Sequence, residues 1–215
     1  MKASNLRFLA LGGVIAPVIF TFTVLICAAL RPGYNHIVEF ISGLGATGTP
    51  YANLMNFGGF IPTGILNAIL GLSLMLLLPK NYVARFGSFF IILFGLGMMS
   101  AGIFSADGPG GPPGGSFQDT MHGYASFPAF FSPIIGMLLL GIAFRRFPSW
   151  KGLWIYSVAS AVLAAVFVYA MINSIEAFRF TGLWQRLLLG TILLWCGIVG
   201  MRLFKIYEPN AQLKI

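Results

Sequence analysis

The segment FLALGGVIAPVIFTFTVLICAAL, residues 8–30, carries no charged side chain and decides the fold class. As a helix rising 1.5 Å per residue, it is long enough to cross the roughly 30 Å hydrocarbon core of a bilayer. Five further, predominantly apolar stretches follow at 52–78, 84–104, 122–144, 152–172 and 184–204, each bounded by charges, Pro or Gly. They are too long and too uniformly apolar for the alternation of barrel strands. The chain therefore reads as all-α: one polytopic domain over 1–215 with six transmembrane helices. Composition agrees, because 58% of the residues are hydrophobic and only 8% are charged, against roughly a quarter charged in soluble domains. The 21 Phe exclude intrinsic disorder, and two Cys exclude a disulfide scaffold.

Basic residues set the expected orientation. Lys2, Arg7, Lys80, Arg85, Arg145, Arg146, Lys151, Arg202, Lys205 and Lys214 fall on one side of the six spans, with a single acid, Glu208. Arg31, Arg179 and Arg186 fall on the other, with Glu39, Asp107, Asp119 and Glu176. Cytoplasmic loops are the ones rich in Lys and Arg. Both termini are expected to be cytoplasmic, in the plasma (cytoplasmic) membrane, with the 31–51, 105–121 and 173–183 loops outside. The net charge of +8 thus reflects membrane orientation. It gives no case for nucleic acid, since the charges are spread over short loops. The apolar run near the N-terminus exceeds the 7–15 residues of a signal-peptide core, so it is read as a retained helix.

Other features are structural. Cys27 and Cys196 lie at different depths and are not expected to pair. Pro17, Pro62, Pro128 and Pro133 are expected to perturb their helices locally. Ser157, Ser160, Ala161, Ala164 and Ala165 form a small-residue face suited to close helix packing. Asn67, near mid-membrane, is expected to hydrogen-bond between helices.

Chemistry concentrates in the outer loops, which hold both His and four of the five acids. In the first, Ile37, Phe40, Ile41 and Leu44 recur at helical spacing, predicting a short amphipathic helix in the interface. His36 and Glu39 would share one face, with Ser42 a turn further on. The second contains GPGGPPGG at 108–115, a spacer rather than a phosphate loop. Asp119 and His122 follow it, three apart; Asp119 either caps its helix or orients the His122 ring. In the third, Glu176 and Arg179 have ion-pair spacing, and Gln185 and Arg186 open the last helix. An arginine at the membrane boundary is either paired or available to an anionic headgroup.

Three functional classes follow. One is a hydrolase or acyl transferase with Ser42 as nucleophile, His122 as base and Asp119 as orienter. A second is a metal site, with zinc held by His36, Glu39, Asp119 and His122; otherwise no cofactor is expected. The third is a non-catalytic module that holds a ligand or partner through Glu39, His36, Glu176, Arg179, Gln185, Arg186 and Asn56. Haem is disfavoured because both His lie on one side of the membrane. Retinal is excluded because no helix interior contains a Lys.

The residues Gly33-Tyr34, the run ISGLGATGTP at 41–50 and Asn56 resemble the bacterial and archaeal membrane family catalogued as domain of unknown function 998. GLWQR at 182–186, with Trp195 and Arg202-Leu203, fits the same pattern. The resemblance implies about six helices and no established activity. It implies a more distant likeness to the eukaryotic family that includes DRAM and the Golgi factor for remodelling GPI-anchor lipids, hence lipid handling on the non-cytoplasmic face. Membrane hydrolases that use three His around zinc are a poorer comparison, since this chain has two His. The expectation is a polar pocket opening outward that binds or processes a lipid or amphiphile. The expected partners are membrane lipids, that ligand and a second copy of the chain.

Overall fold

The computed structural model describes residues 3–108, 111–112, 115–177 and 179–208. Lys2, Lys214 and parts of the GPGGPPGG spacer lie outside them. The described residues contain no strand. Six helices are long and apolar enough to cross a membrane: α1 (Arg7–Ala29), α2 (Leu54–Leu77), α3 (Tyr82–Ile103), α4 (Phe117–Phe144), α5 (Leu153–Ser174) and α6 (Thr181–Ile206). A single helical turn, Ala3–Leu6, precedes them. Each helix packs on the next in sequence, and α6 closes back on α1, giving a ring.

Lipid offers no hydrophobic force to drive helix association, so close packing and internal hydrogen bonds must supply it. The α2–α3 contact shows the first. A Cβ on Gly64 would lie 2.5 Å from the Gly95 carbonyl oxygen, and one on Gly95 would lie 2.5 Å from the Gly64 oxygen. Only glycine lets these backbones meet. The small-residue face of α5 shows the second: Ser157, Ser160, Ala161 and Ala164 are buried, and Trp195 Nε1 of α6 donates to Ser157 Oγ at 2.9 Å. Large apolar side chains such as Phe22, Phe86 and Leu194 are exposed around the ring, as a lipid-facing surface requires.

Two helices open irregularly, α1 with 3₁₀ turns over Arg7–Leu11 and α2 with π-helical turns. Leu54–Phe60 forms π-helical turns that run into Pro62, a residue with no N–H to donate. Thr23 Oγ1 of α1 bonds the Gly58 carbonyl within those turns at 3.2 Å. Pro17, Pro128 and Pro133 are carried inside continuous helices. Asn67 differs from expectation: its amide donates to Thr63 O of its own helix, and its Oδ1 is buried without a partner. Cys27 and Cys196 are both free and buried.

The fourth span begins at Phe117, five residues before the expected start at His122. The cause is Ser116, whose Oγ accepts the Asp119 N–H and so caps the helix. Asp119 and His122 therefore sit within the first turns of α4.

Candidate functional site

The 34–50 segment forms a cover over one end of the ring. The amphipathic helix expected across Ile37–Leu44 is not formed. A turn closes through Glu39 N–H to Asn35 O, Phe40 is extended, and a 3₁₀ helix follows over Ile41–Gly45. The reason lies in α6. Its first turn has N–H groups with no partner inside the helix, and Gly182 and Leu183 donate theirs to Val38 O and Ile37 O. Those carbonyls are then unavailable to a local helix. A Cβ on Gly182 would lie 2.2 Å from Glu39 O and 2.7 Å from His36 O, so the absence of a side chain there admits the cover.

Arg186 fastens it. Its guanidinium donates to His36 Nδ1, Glu39 O, Gly182 O and Tyr34 Oη. The Tyr34 hydroxyl in turn donates to Phe40 O at 2.9 Å. Burial is the main influence on the Tyr34 phenol and raises its pKa, against the lowering effect of Arg186. Burial and then the Arg186 charge lower that of His36. Arg31 holds Glu39 in the one ion pair among the described residues, at 2.9 Å, and donates to Gly43 O. Asn56 ties the cover to the end of α3, donating to Gly45 O and Ser105 Oγ.

The second loop is clamped similarly. Asp107 accepts the N–H and the hydroxyl of Ser116, each at 2.7 Å, and Asp119 Oδ1 accepts the Asp107 N–H. Asp119 neither caps α4 nor orients His122. The ring of His122 is held instead by Ala101 O and Phe104 O, at 3.1 and 2.8 Å from Nδ1. Both partners are carbonyl acceptors at the C-terminal end of α3, so Nδ1 carries the proton. In neutral His122 the lone pair is then on Nε2, which has no hydrogen-bond partner among the described residues.

Beneath the cover is a cavity of about 400 Å³, whose polar wall includes Ser42, Asp119, His122 and Gln185. Gln185 is buried, and its Oε1 accepts the Ile41 N–H. Its amide nitrogen and the Ser42 hydroxyl make no hydrogen bond among the described residues. Much of the remaining lining is apolar, with Phe127, Phe130 and Phe131 of α4 and Val168 and Met171 of α5. A second cavity of about 290 Å³ shares Phe40, Ser42, Ala106 and Ile175 with the first and adds Arg31, Glu39 and Asp107. Ser42 faces both. These volumes match small-ligand sites.

Not every nominated residue converges. Glu176 and Arg179 are exposed and make no ion pair with each other among the described residues. His36 and Glu39 belong to the cover, bonded to Arg186 and Arg31, whereas Asp119 and His122 belong to α4. Among the described residues, no three of His, Cys, Asp and Glu come together in a way that could hold a metal ion. The sequence reading assigned no role to Arg31, Ser116 or the aromatic wall. The run FPAFF at 127–131 held the signal for that wall, but apolar residues in a membrane helix do not declare whether they face lipid or a cavity.

Six apolar helices in a closed ring, covered at one end by a hydrogen-bonded loop over a cavity, define a multi-pass membrane protein. A family model described as "Protein of unknown function (DUF998)" matches residues 14–202, and the chain belongs to that family. No curated protein and no solved structure matches it.

Proposed function

We propose that the protein binds or processes a lipid or another amphiphile in the cavity beneath the 34–50 cover. One observation carries this reading: Ser42, His122 and Gln185, each with an uncommitted polar atom, line one cavity together with Phe and aliphatic side chains. Such a wall suits a hydrocarbon portion, and the polar groups suit a hydroxyl, ester or headgroup. The distribution of Lys and Arg supports placing this end on the non-cytoplasmic side of the plasma membrane, with both termini cytoplasmic.

A catalytic reading is favoured by one further fact, that Ser42 and His122 line the same cavity. In acyl transfer, Ser42 Oγ would bond to the substrate carbonyl carbon while Nε2 took its proton, and that proton would leave with the departing alcohol. Gln185 would donate to the carbonyl oxygen as it became negative.

Gly123 lines the cavity and has nothing within 4 Å of a Cβ placed on it. Gly123→Phe therefore fills the space without displacing the fold. Native mass spectrometry of protein from mild detergent should show a retained amphiphile in the wild type and not in Gly123→Phe. Absence of an adduct, or an equal adduct in Gly123→Phe, would overturn the binding reading. Accumulation of an uncleaved amphiphile in Ser42→Ala and His122→Ala would establish processing; identical adducts in all three proteins would leave binding alone.

A further inference from the structure

A separate apolar groove of about 730 Å³ runs between α1 and α6 on the outside of the ring. Its origin is legible in the residues. Arg186, Gly190, Leu193, Gly197 and Met201 share one stripe of α6. A Cβ on Gly190 would have nothing within 4 Å, and one on Gly197 would meet only Gly13 O and Pro17 Cγ at 3.6 and 3.8 Å. Missing side chains on α6 face Pro17 and Val14 on α1, so the two helices leave a trough. From Arg186 to Met201 it runs about 22 Å along the helix axis, longer than one leaflet of the hydrocarbon core.

One end of this trough is polar and positively charged. Arg186 and His36 are the polar side chains at its mouth. All four acceptors of the guanidinium are neutral: two backbone carbonyls, a phenol and an imidazole. The nearby Glu39 carboxylate is paired with Arg31 instead. Of the five N–H donors of Arg186, one on Nη2 is left over. Because His36 Nδ1 accepts from Arg186 Nε, neutral His36 carries its proton on Nε2, a second donor with no partner among the described residues. An uncompensated charge at a membrane boundary is costly unless a counter-ion is found.

We infer that the α1–α6 groove is a binding site for an anionic phospholipid, with its phosphate at Arg186 and His36 and an acyl chain along Gly190 and Gly197. The site is distinct from the cavity under the cover, and neither reading depends on the other. Apolar walls alone would accept any chain, or a helix of a partner. The guanidinium, which has no anionic partner and one free N–H, together with the free Nε2–H of His36, selects an acidic headgroup.

The test uses the full chain in nanodiscs containing equal amounts of phosphatidylglycerol and phosphatidylcholine with identical chains. Native mass spectrometry counts the lipids retained. The wild type should retain phosphatidylglycerol about tenfold over phosphatidylcholine: both carry a phosphate, but in phosphatidylcholine the choline cation offsets its charge, whereas in phosphatidylglycerol the charge is left for Arg186. Gly190→Leu fills the trough without touching the polar end, and should remove the preference while leaving the melting temperature at or above that of the wild type. Arg186→Gln should remove it as well. No preference in the wild type would overturn the inference. So would a preference that persists in Gly190→Leu, because the lipid would then bind elsewhere, as at the basic end of the bundle. A two-copy mass that Gly190→Leu reduces to one would show that the groove is a protein interface, and would also overturn it. Gly123→Phe should leave this preference intact, which separates failure here from failure of the cavity reading.

Discussion

Gln185 stands where the cover and the cavity meet, and two substitutions there separate its structural part from its ligand-facing part. Its Oε1 accepts the Ile41 N–H in a buried setting, while the residue also lines the cavity and its amide nitrogen has no partner among the described residues. Gln185→Leu keeps the approximate volume and removes the acceptor. The Ile41 N–H is then buried without a partner, at about 1–3 kcal/mol. For a chain of this size each kcal/mol corresponds to roughly 2–4 °C, so melting should fall by about 2–12 °C. Gln185→Glu retains an oxygen for Ile41 and replaces two cavity-facing donors by an acceptor. A carboxylate buried there carries a desolvation cost of its own, so the variant should melt below the wild type, and it should lose any ligand that accepts a hydrogen bond. Melting in mild detergent, followed by the fluorescence of the four Trp, reads the first effect, and native mass spectrometry reads the second. If Gln185→Leu melts within about 1 °C of the wild type, the Ile41 bond is not what holds the cover and the reasoning fails.

Two further predictions concern the cover. Gly182→Ala places a Cβ within van der Waals overlap of Glu39 O and His36 O, so the segment must lift. Limited proteolysis should cut 34–50 faster in this variant than in the wild type, and equal rates would refute the contact. His36 has its pKa lowered from 6.5 by burial and by the Arg186 charge; Tyr34 stacks edge-on at 5.3 Å. Below pH 6.5 the unfolded chain therefore binds a proton before the folded one does. Stability should fall as pH drops through that point and level off below the folded pKa, and His36→Gln should lose this component of the pH–melting profile. An unchanged profile in His36→Gln would refute it.

The spans were legible because their signal is local. Length and apolarity alone distinguish a membrane helix, and the six starts and ends fall within a few residues of expectation except at α4. There Ser116 carried a capping signal, but Pro and Gly around it drew the boundary forward to His122. The cover was misread for a non-local reason. Ile37, Phe40, Ile41 and Leu44 have helical spacing, yet the carbonyls of Ile37 and Val38 are taken by α6, some 145 residues later in the chain. No periodicity within 31–50 records that competition. The same holds for Glu176 and Arg179, whose spacing suits an ion pair in a helix, whereas the last residue of α5 is Ser174.

For the site, hydrogen-bond accounting decides what proximity in sequence could not. Asp119 and His122 are three residues apart, which suggested a carboxylate steering an imidazole. The structure satisfies them separately: Asp119 takes the Asp107 N–H, and His122 gives its Nδ1 proton to the exposed carbonyls at the end of α3. Glu39, Arg31, Asn56 and Asp107 are likewise engaged in holding loops together. Their residue types are those of active sites, yet their hydrogen bonds are those of a clamp. What remains is a shorter set, Ser42, His122 Nε2 and the amide nitrogen of Gln185, brought from the cover, α4 and α6 to one cavity. Bonds at Nδ1 of His122 and Oε1 of Gln185 orient those two side chains. A bound molecule that hydrogen-bonds to all three would engage polar atoms that no other group among the described residues occupies, and this is the physical ground for looking for one there.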